Sequence, residues 1–97
     1  MDKAFRQQAS EASDYLKRLS HPVRLMVLCA LIENEKSVSE LIEISQISQS
    51  ALSQHLAILR QHRLVSTRRE AQVIYYQLAD KNCIKIIDVL QQLFCPK

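Results

Sequence analysis

Apolar residues at Phe5, Ala9, Ala12, Leu16 and Leu19 step by four and three through an otherwise polar stretch, the spacing of one stripe along a helix. The stripe is narrow and heptad-like, which suits packing along another helix better than deep burial and makes it a candidate dimer contact. Ser20-His21-Pro22 interrupts the pattern, because proline lacks the N–H of a continuing helix but fits the first turn of a new one. The second helix runs to about Ile32 and is apolar on nearly all sides, which predicts a central, buried position. Glu33 to Lys36 forms a polar break. Ser37-Val38-Ser39-Glu40 then has the form of a capping box, in which serine and glutamate satisfy each other's free backbone N–H groups, and a short third helix follows to about Ile44.

Ser45-Gln46-Ile47 reads as a three-residue turn, and Ser48 caps a fourth helix. Its inward residues are Ala51, Leu52, Leu56 and Leu59; Gln49, Ser50, Ser53, Gln54 and Arg60 face outward. Leu64 to Arg69 and Gln72 to Leu78 are rich in β-branched and aromatic residues and flank Glu70-Ala71, so they predict a two-stranded hairpin without a glycine or asparagine to mark its turn type. From Lys81 onward, Ile84, Ile87, Leu90 and Phe94 outline a last helix, capped by Asp80 and ending near Cys95-Pro96. Two short helices joined by a tight turn, beside an arginine-bearing hairpin, make a winged helix-turn-helix. The expected fold is mainly α with a β-hairpin wing: four helices, two strands and a fifth helix, in a single domain over residues 1–97.

The 97 residues, 47% hydrophobic and 24% charged, exclude two domains. A chain of this length buries only about 60 to 65% of its unfolded surface, so a lone monomer is marginal and a homodimer is expected. The longest apolar run, Leu25 to Ile32, falls far short of the roughly 20 residues that cross a bilayer. The amino-terminal stretch lacks the apolar core of a secretory signal. The expected location is the cytoplasm, with no membrane partner.

A net charge of +3 names no partner until its distribution is considered. Between Ile44 and Arg69 stand four arginines, Arg60, Arg63, Arg68 and Arg69, and no acid, whereas Glu33 to Glu43 carries four acids and one lysine. Gln49 and Gln54 offer the paired donor and acceptor that match adenine edges in the major groove, and Ser50 and Ser53 can reach bases or phosphates. The arginines suit phosphate, with the hairpin lying along the backbone or minor groove. Any one polar helix face is more simply a solvated surface. The face, the turn, the capping serines and the acid-free stretch together favour double-stranded DNA, read as a palindromic operator. His55, near the inward edge of the fourth helix, is expected to be a packed, hydrogen-bonded residue, and His21 and His62 sit at helix boundaries. No hydrolase triad, glycine-rich phosphate loop or paired-carboxylate arrangement is evident, so neither enzymatic activity nor a cofactor is expected. Cys29, Cys83 and Cys95 form neither an even disulfide framework nor a C-x-x-C pair; they are inert packed thiols or sensors.

LSHPVRLMVLCAL at 19–31, SVSELIEISQISQSALSQHLAILRQHRLV at 37–65 and TRREAQVIYYQL at 67–78 resemble the ArsR (SmtB) family of dimeric winged-helix repressors over nearly the whole chain. The resemblance implies that the first and last helices build the dimer. Most metal sensors of that family carry a cysteine pair in the third helix or an Asp/His set in the last; here those helices read VSELIEI and NCIKIIDVLQQLFC, so no metal site is expected. The chain is most similar to the persulfide-sensing BigR/SqrR/HlyU-like branch, with one cysteine in the second helix and one near the end of the fifth. Cys29 and Cys95 stand at those positions, and Cys83 is a bystander. The resemblance thus implies that a reactive sulfur species bridges Cys29 and Cys95 and releases operator DNA.

The chemistry has its own logic. A direct disulfide needs Cα atoms within roughly 7 Å, and inserted sulfurs relax that restriction, so a pair held slightly too far apart favours polysulfide over peroxide. Against this, a cysteine in an apolar run such as Cys29 is commonly an inert hydrophobe with a raised pKa. Cys95, beside Pro96 and Lys97, is expected to be more accessible. Three other roles remain open: a regulator that displaces another DNA-binding protein and so activates, a peroxide sensor using an ordinary disulfide, and a helical module whose arginines meet an acidic protein.

Overall fold

A computed structural model describes residues 2–95. The elements in order are α1 (Lys3–Leu19), α2 (Pro22–Glu33), β1 (Lys36–Ser37), α3 (Val38–Ser45), α4 (Gln49–Gln61), β2 (Val65–Glu70), β3 (Val73–Leu78) and α5 (Lys81–Phe94). Each helix start is set by a side chain that satisfies a free backbone N–H. Asp2 accepts from the Phe5 amide (2.8 Å), Ser48 from the Ala51 amide (3.1 Å), and Asp80 from the Asn82 amide (3.0 Å). The capping box at α3 forms reciprocally: the Glu40 amide donates to Ser37 Oγ (3.1 Å) and the Ser37 amide to Glu40 Oε1 (2.9 Å). At α2 the cap is an imidazole, with His21 Nδ1 accepting from the Val23 amide (3.1 Å) just before Pro22.

The core gathers Val27 and Leu28 of α2, Leu41 of α3, Leu52 and Leu59 of α4, Leu64, and Cys83 and Ile87 of α5, all fully buried. Helix α2 packs against α3, α4, α5 and β3, so it is central as expected. It is not buried all round, however. Its Leu25, Met26, Cys29 and Ala30 edge lines a surface cavity instead, because α5 covers only part of it. The α1 stripe is left open in the single chain, with Phe5 52% and Leu16 53% exposed and Leu19 alone buried. The carboxyl-terminal part of α1 is tied down where the Tyr15 hydroxyl donates to Asp80 Oδ2 (2.7 Å) at the start of α5.

Three boundaries differ from the sequence expectation. A third strand, β1, joins the hairpin to give the antiparallel order β1-β3-β2, with Lys36 opposite Tyr76 and Ser37 opposite Tyr75. Two residues carry no readable alternation, so this strand has no signature of its own. The turn before α4 is Gln46 to Ser48, one residue later than expected, and the hairpin loop is Ala71-Gln72 rather than Glu70-Ala71, with Glu70 paired to Val73. Among the described residues no helix is long and apolar enough to cross a membrane.

With no glycine in the chain, left-handed backbone falls on Gln46 (φ 58°), Arg63 (φ 60°) and Ala71 (φ 56°). Arg63 closes α4 in the double hydrogen-bond pattern of a Schellman end: its amide reaches the Arg60 carbonyl (3.0 Å), and that of buried Leu64 reaches the Leu59 carbonyl (3.0 Å). A Cβ in this region costs about 1 to 2 kcal/mol. Ala71→Gly should therefore raise unfolding free energy by about 0.5 to 1 kcal/mol after the extra unfolded-state entropy of glycine is subtracted. Urea denaturation checks this, and an unchanged or lowered midpoint would contradict it.

Candidate nucleic-acid interface and thiol cavity

Helix α4 divides by its own periodicity. Leu52, Leu56 and Leu59 are buried, while Gln49, Ser50, Ser53, Gln54 and Arg60 are exposed. Gln49, Ser53 and Arg60, joined by Gln61, line a groove of about 480 Å³ between α4 and the hairpin, floored by Leu56, Ile74 and Tyr76. Ser50 and Gln54, one turn apart, occupy the adjacent exposed strip. Arg63 is exposed at the left-handed end of α4 and Arg69 on β2 opposite Ile74, and neither makes an ion pair with a described residue. The polar outward face is thus assembled as its spacing implies.

Arg68 differs from the expectation of a free phosphate contact. Its Nε donates to both Glu35 carboxylate oxygens (3.0 and 2.8 Å), its guanidinium also pairs with Glu70 (2.8 Å), and it lies over the Tyr75 ring at 4.4 Å. These hydrogen bonds hold the Glu35 carboxyl below its usual range. The charge of Arg68 is matched within the protein, so it fastens the wing to the segment leading into β1. The acid-free stretch that suggested a phosphate contact ends just before Glu70, two residues from Arg68, and Glu35 arrives from across the fold.

Cys29 and Cys95, on α2 and at the end of α5, come together on one cavity of about 660 Å³ whose other walls are Pro22, Leu25, Met26, Ala30, Ile44, Leu90 and Phe94. Both thiols are free, Cys29 half-buried and Cys95 exposed. Pro96 and Lys97, the expected neighbours of Cys95, lie outside the described residues. Burial pushes the Cys29 thiol up, the Cys95 sulfur adds to the rise, and hydrogen bonding from Gln91 opposes it. Gln91, which sequence reasoning did not single out, also donates from Nε2 to the Cys29 carbonyl (3.2 Å), while its own carbonyl accepts the Cys95 amide (2.8 Å). Cys83 stands apart in the core, its thiol pushed up to about 11 by burial and then by the charge of Asp80. An inert bystander fits that position.

A second residue missed in the sequence is Arg24, the one cation of α2. Its Nε donates to His55 Nδ1 on α4 (3.2 Å), and its Nη1 donates to the Arg18 and Lys17 carbonyls (3.1 and 3.5 Å) at the end of α1. The His21 ring meets that of His55 at 4.2 Å between centroids. His55 is thus packed and hydrogen-bonded, as its place at the inward edge predicted. Burial lowers its pKa, and the nearby His21 and Arg24 add to the shift.

The sequence pattern of the bacterial regulatory proteins of the arsR family matches residues 21–67. A biofilm growth-associated repressor of Xylella fastidiosa (strain Temecula1) is 43% identical over 88 residues, covering 91% of this chain and 77% of that protein. The transcriptional activator HlyU of Vibrio cholerae is 45% identical over 87 residues, covering 90% of this chain and 81% of that protein. The structure of reduced HlyU from Vibrio cholerae N16961 superposes with a TM-score of 0.91 at 41% identity, covering 97% of this chain and 99% of that one.

Because the folded state disfavours protonated His55 relative to the unfolded chain, its contribution to stability is fully present above the ordinary value of 6.5 and is lost as pH drops below it. The decline attributable to His55 ends once the folded form also takes the proton. Denaturation midpoints across this range should fall for the wild type and fall less for His55→Gln; equal slopes would remove His55 as the cause.

Proposed function

The chain belongs to the arsR family of bacterial regulatory proteins, as a winged-helix transcriptional regulator, and from that footing we propose that it is a homodimeric DNA-binding repressor switched by reactive sulfur species. In the reduced dimer, α4 of each subunit enters the major groove of one half of a palindromic operator, the two sites about 34 to 36 Å apart. Gln49 and Gln54 read base edges, Ser50 and Ser53 contact bases or phosphates, and Arg60, Arg63 and Arg69 neutralise phosphates. The apolar α1 stripe, with Val89 and Leu93 on α5, supplies the surface that a second copy would cover.

The observation that carries the switch is the meeting of Cys29 and Cys95 on one cavity wall despite their separation along the chain. A bridge between them would tie α2 to the end of α5. Because Arg24 links α2 to His55 on α4, movement of α2 would change the setting of the reading helices and spoil their spacing on a palindrome. The likeness to a protein named as an activator favours one second reading, in which the same grip on DNA displaces another protein and so raises transcription.

A duplex-binding titration with wild type, Cys29→Ser and Cys95→Ser, with and without a persulfide donor, tests the switch. The donor should release DNA from wild type alone, and the released protein should carry added sulfur by mass spectrometry. Release with a plain disulfide mass would instead make the chain a peroxide-type sensor. On the DNA side, binding should weaken steeply with salt. Gln54→Ala should lower discrimination between specific and non-specific duplexes by about 1 to 3 kcal/mol, whereas Arg69→Ala should weaken all duplexes alike. Identical losses on every duplex for both variants would reject the base-reading role of Gln54.

A further inference from the structure

Which sulfur donor reaches the thiols depends on the walls around them. Leu25, Met26, Ala30, Ile44, Leu90 and Phe94 surround Cys29 and Cys95, and among the described residues no lining side chain carries a charge. At about 660 Å³ the cavity falls within the roughly 300 to 1,000 Å³ of small-molecule sites. A carboxylate brought against such a wall loses water without gaining a partner, whereas an alkyl chain gains by leaving water. Met26 and Phe94, 39% and 76% exposed, stand at the open side, so a donor meets them before it meets the half-buried Cys29.

We propose that this cavity selects uncharged, apolar sulfane-sulfur donors of the dialkyl trisulfide class over anionic donors, through the uncharged wall that Leu25, Met26, Leu90 and Phe94 build around Cys29 and Cys95. The proposal rests on the dithiol reading above. The exposed Cys95 thiolate attacks the central sulfur of R–S–S–S–R; one S–S bond breaks, and RS⁻ leaves and takes up a proton. The Cys29 thiolate then attacks the same sulfur and displaces the second RS⁻, which is protonated in turn. The net reaction converts two cysteine thiols and one trisulfide into a Cys–S–S–S–Cys bridge and two RSH. The cysteines are oxidised, the donor is reduced, and no further oxidant is required.

The test compares dipropyl trisulfide with glutathione trisulfide on the reduced full chain, folded and in urea, following the rate of thiol loss and the mass of the bridge. The unfolded chain presents Cys29 and Cys95 without the wall; it also exposes Cys83 to both donors alike, so the ratio of the two rates, rather than either rate, sets the intrinsic preference. Folding should shift that ratio toward dipropyl trisulfide by about tenfold or more. Met26→Lys, which adds a cation at the half-exposed rim, should shrink the shift by about threefold. An equal ratio in folded and unfolded chain, or a shift that Met26→Lys leaves untouched, would overturn the selectivity while leaving the dithiol switch intact. Failure of both donors to bridge Cys29 and Cys95 would overturn the dithiol reading itself, and this inference with it.

Discussion

Burial of the Val27 and Leu28 edge of α2 is the constraint around which the other elements arrange themselves. A helix apolar on nearly every side cannot rest on a surface; it needs neighbours, and α3, α4, α5 and β3 supply them. Once Leu52, Leu56 and Leu59 of α4 are committed to that core, the polar side of α4 has no direction left but outward. The exposure of Gln49, Ser53 and Gln54 is in this sense a consequence of leucine packing. The one cation in α2 is accommodated by the same geometry, since Arg24 finds two carbonyls at the end of α1 and a ring nitrogen on α4.

The candidate DNA-contacting side chains and the two thiols lie on separate surfaces of the molecule. Arginines and amides cluster on α4 and the hairpin, while the two switch candidates sit against a wall of aliphatic and aromatic carbon. Helix α2 touches both regions, with Cys29 near its end and Arg24 near its start. In the proposed switch this places the sulfur chemistry and the link to the reading helix on one stiff element, so that movement at one is passed to the other. Arg68 illustrates how local the balance is: it looks like a DNA contact by sequence neighbourhood, yet Glu35 and Glu70 already hold it.

The absence of glycine shifts conformational strain onto ordinary residues. Gln46, Arg63 and Ala71 adopt left-handed backbone at the turn before α4, at its end and at the hairpin tip. At two of these positions hydrogen bonds offset the strain. Gln46 donates through its side chain to the Glu43 carbonyl (2.6 Å), and Arg63 sits within the paired bonds that close α4. These sites frame the reading helix, so its placement rests on turns held by hydrogen bonds rather than on intrinsically permissive backbone.

Much of the architecture was legible from period and punctuation. Helical spacing located α1, α2, α4 and α5, and Ser37, Ser48 and Asp80 marked helix starts, because these signals are local: a cap and its amide are three residues apart or fewer. The polar face of α4 was legible for the same reason. The two-residue strand β1, the pairing of Arg68 with Glu35, the clamp from Arg24 to His55 and the link from Gln91 to Cys29 were not. Each joins residues whose partners are chosen by how helices stack. The sequence supplied two thiols and a family likeness; tertiary packing alone decided that they share an uncharged cavity, since proximity across the fold depends on the docking of α5 against α2 and leaves no periodic trace in either helix.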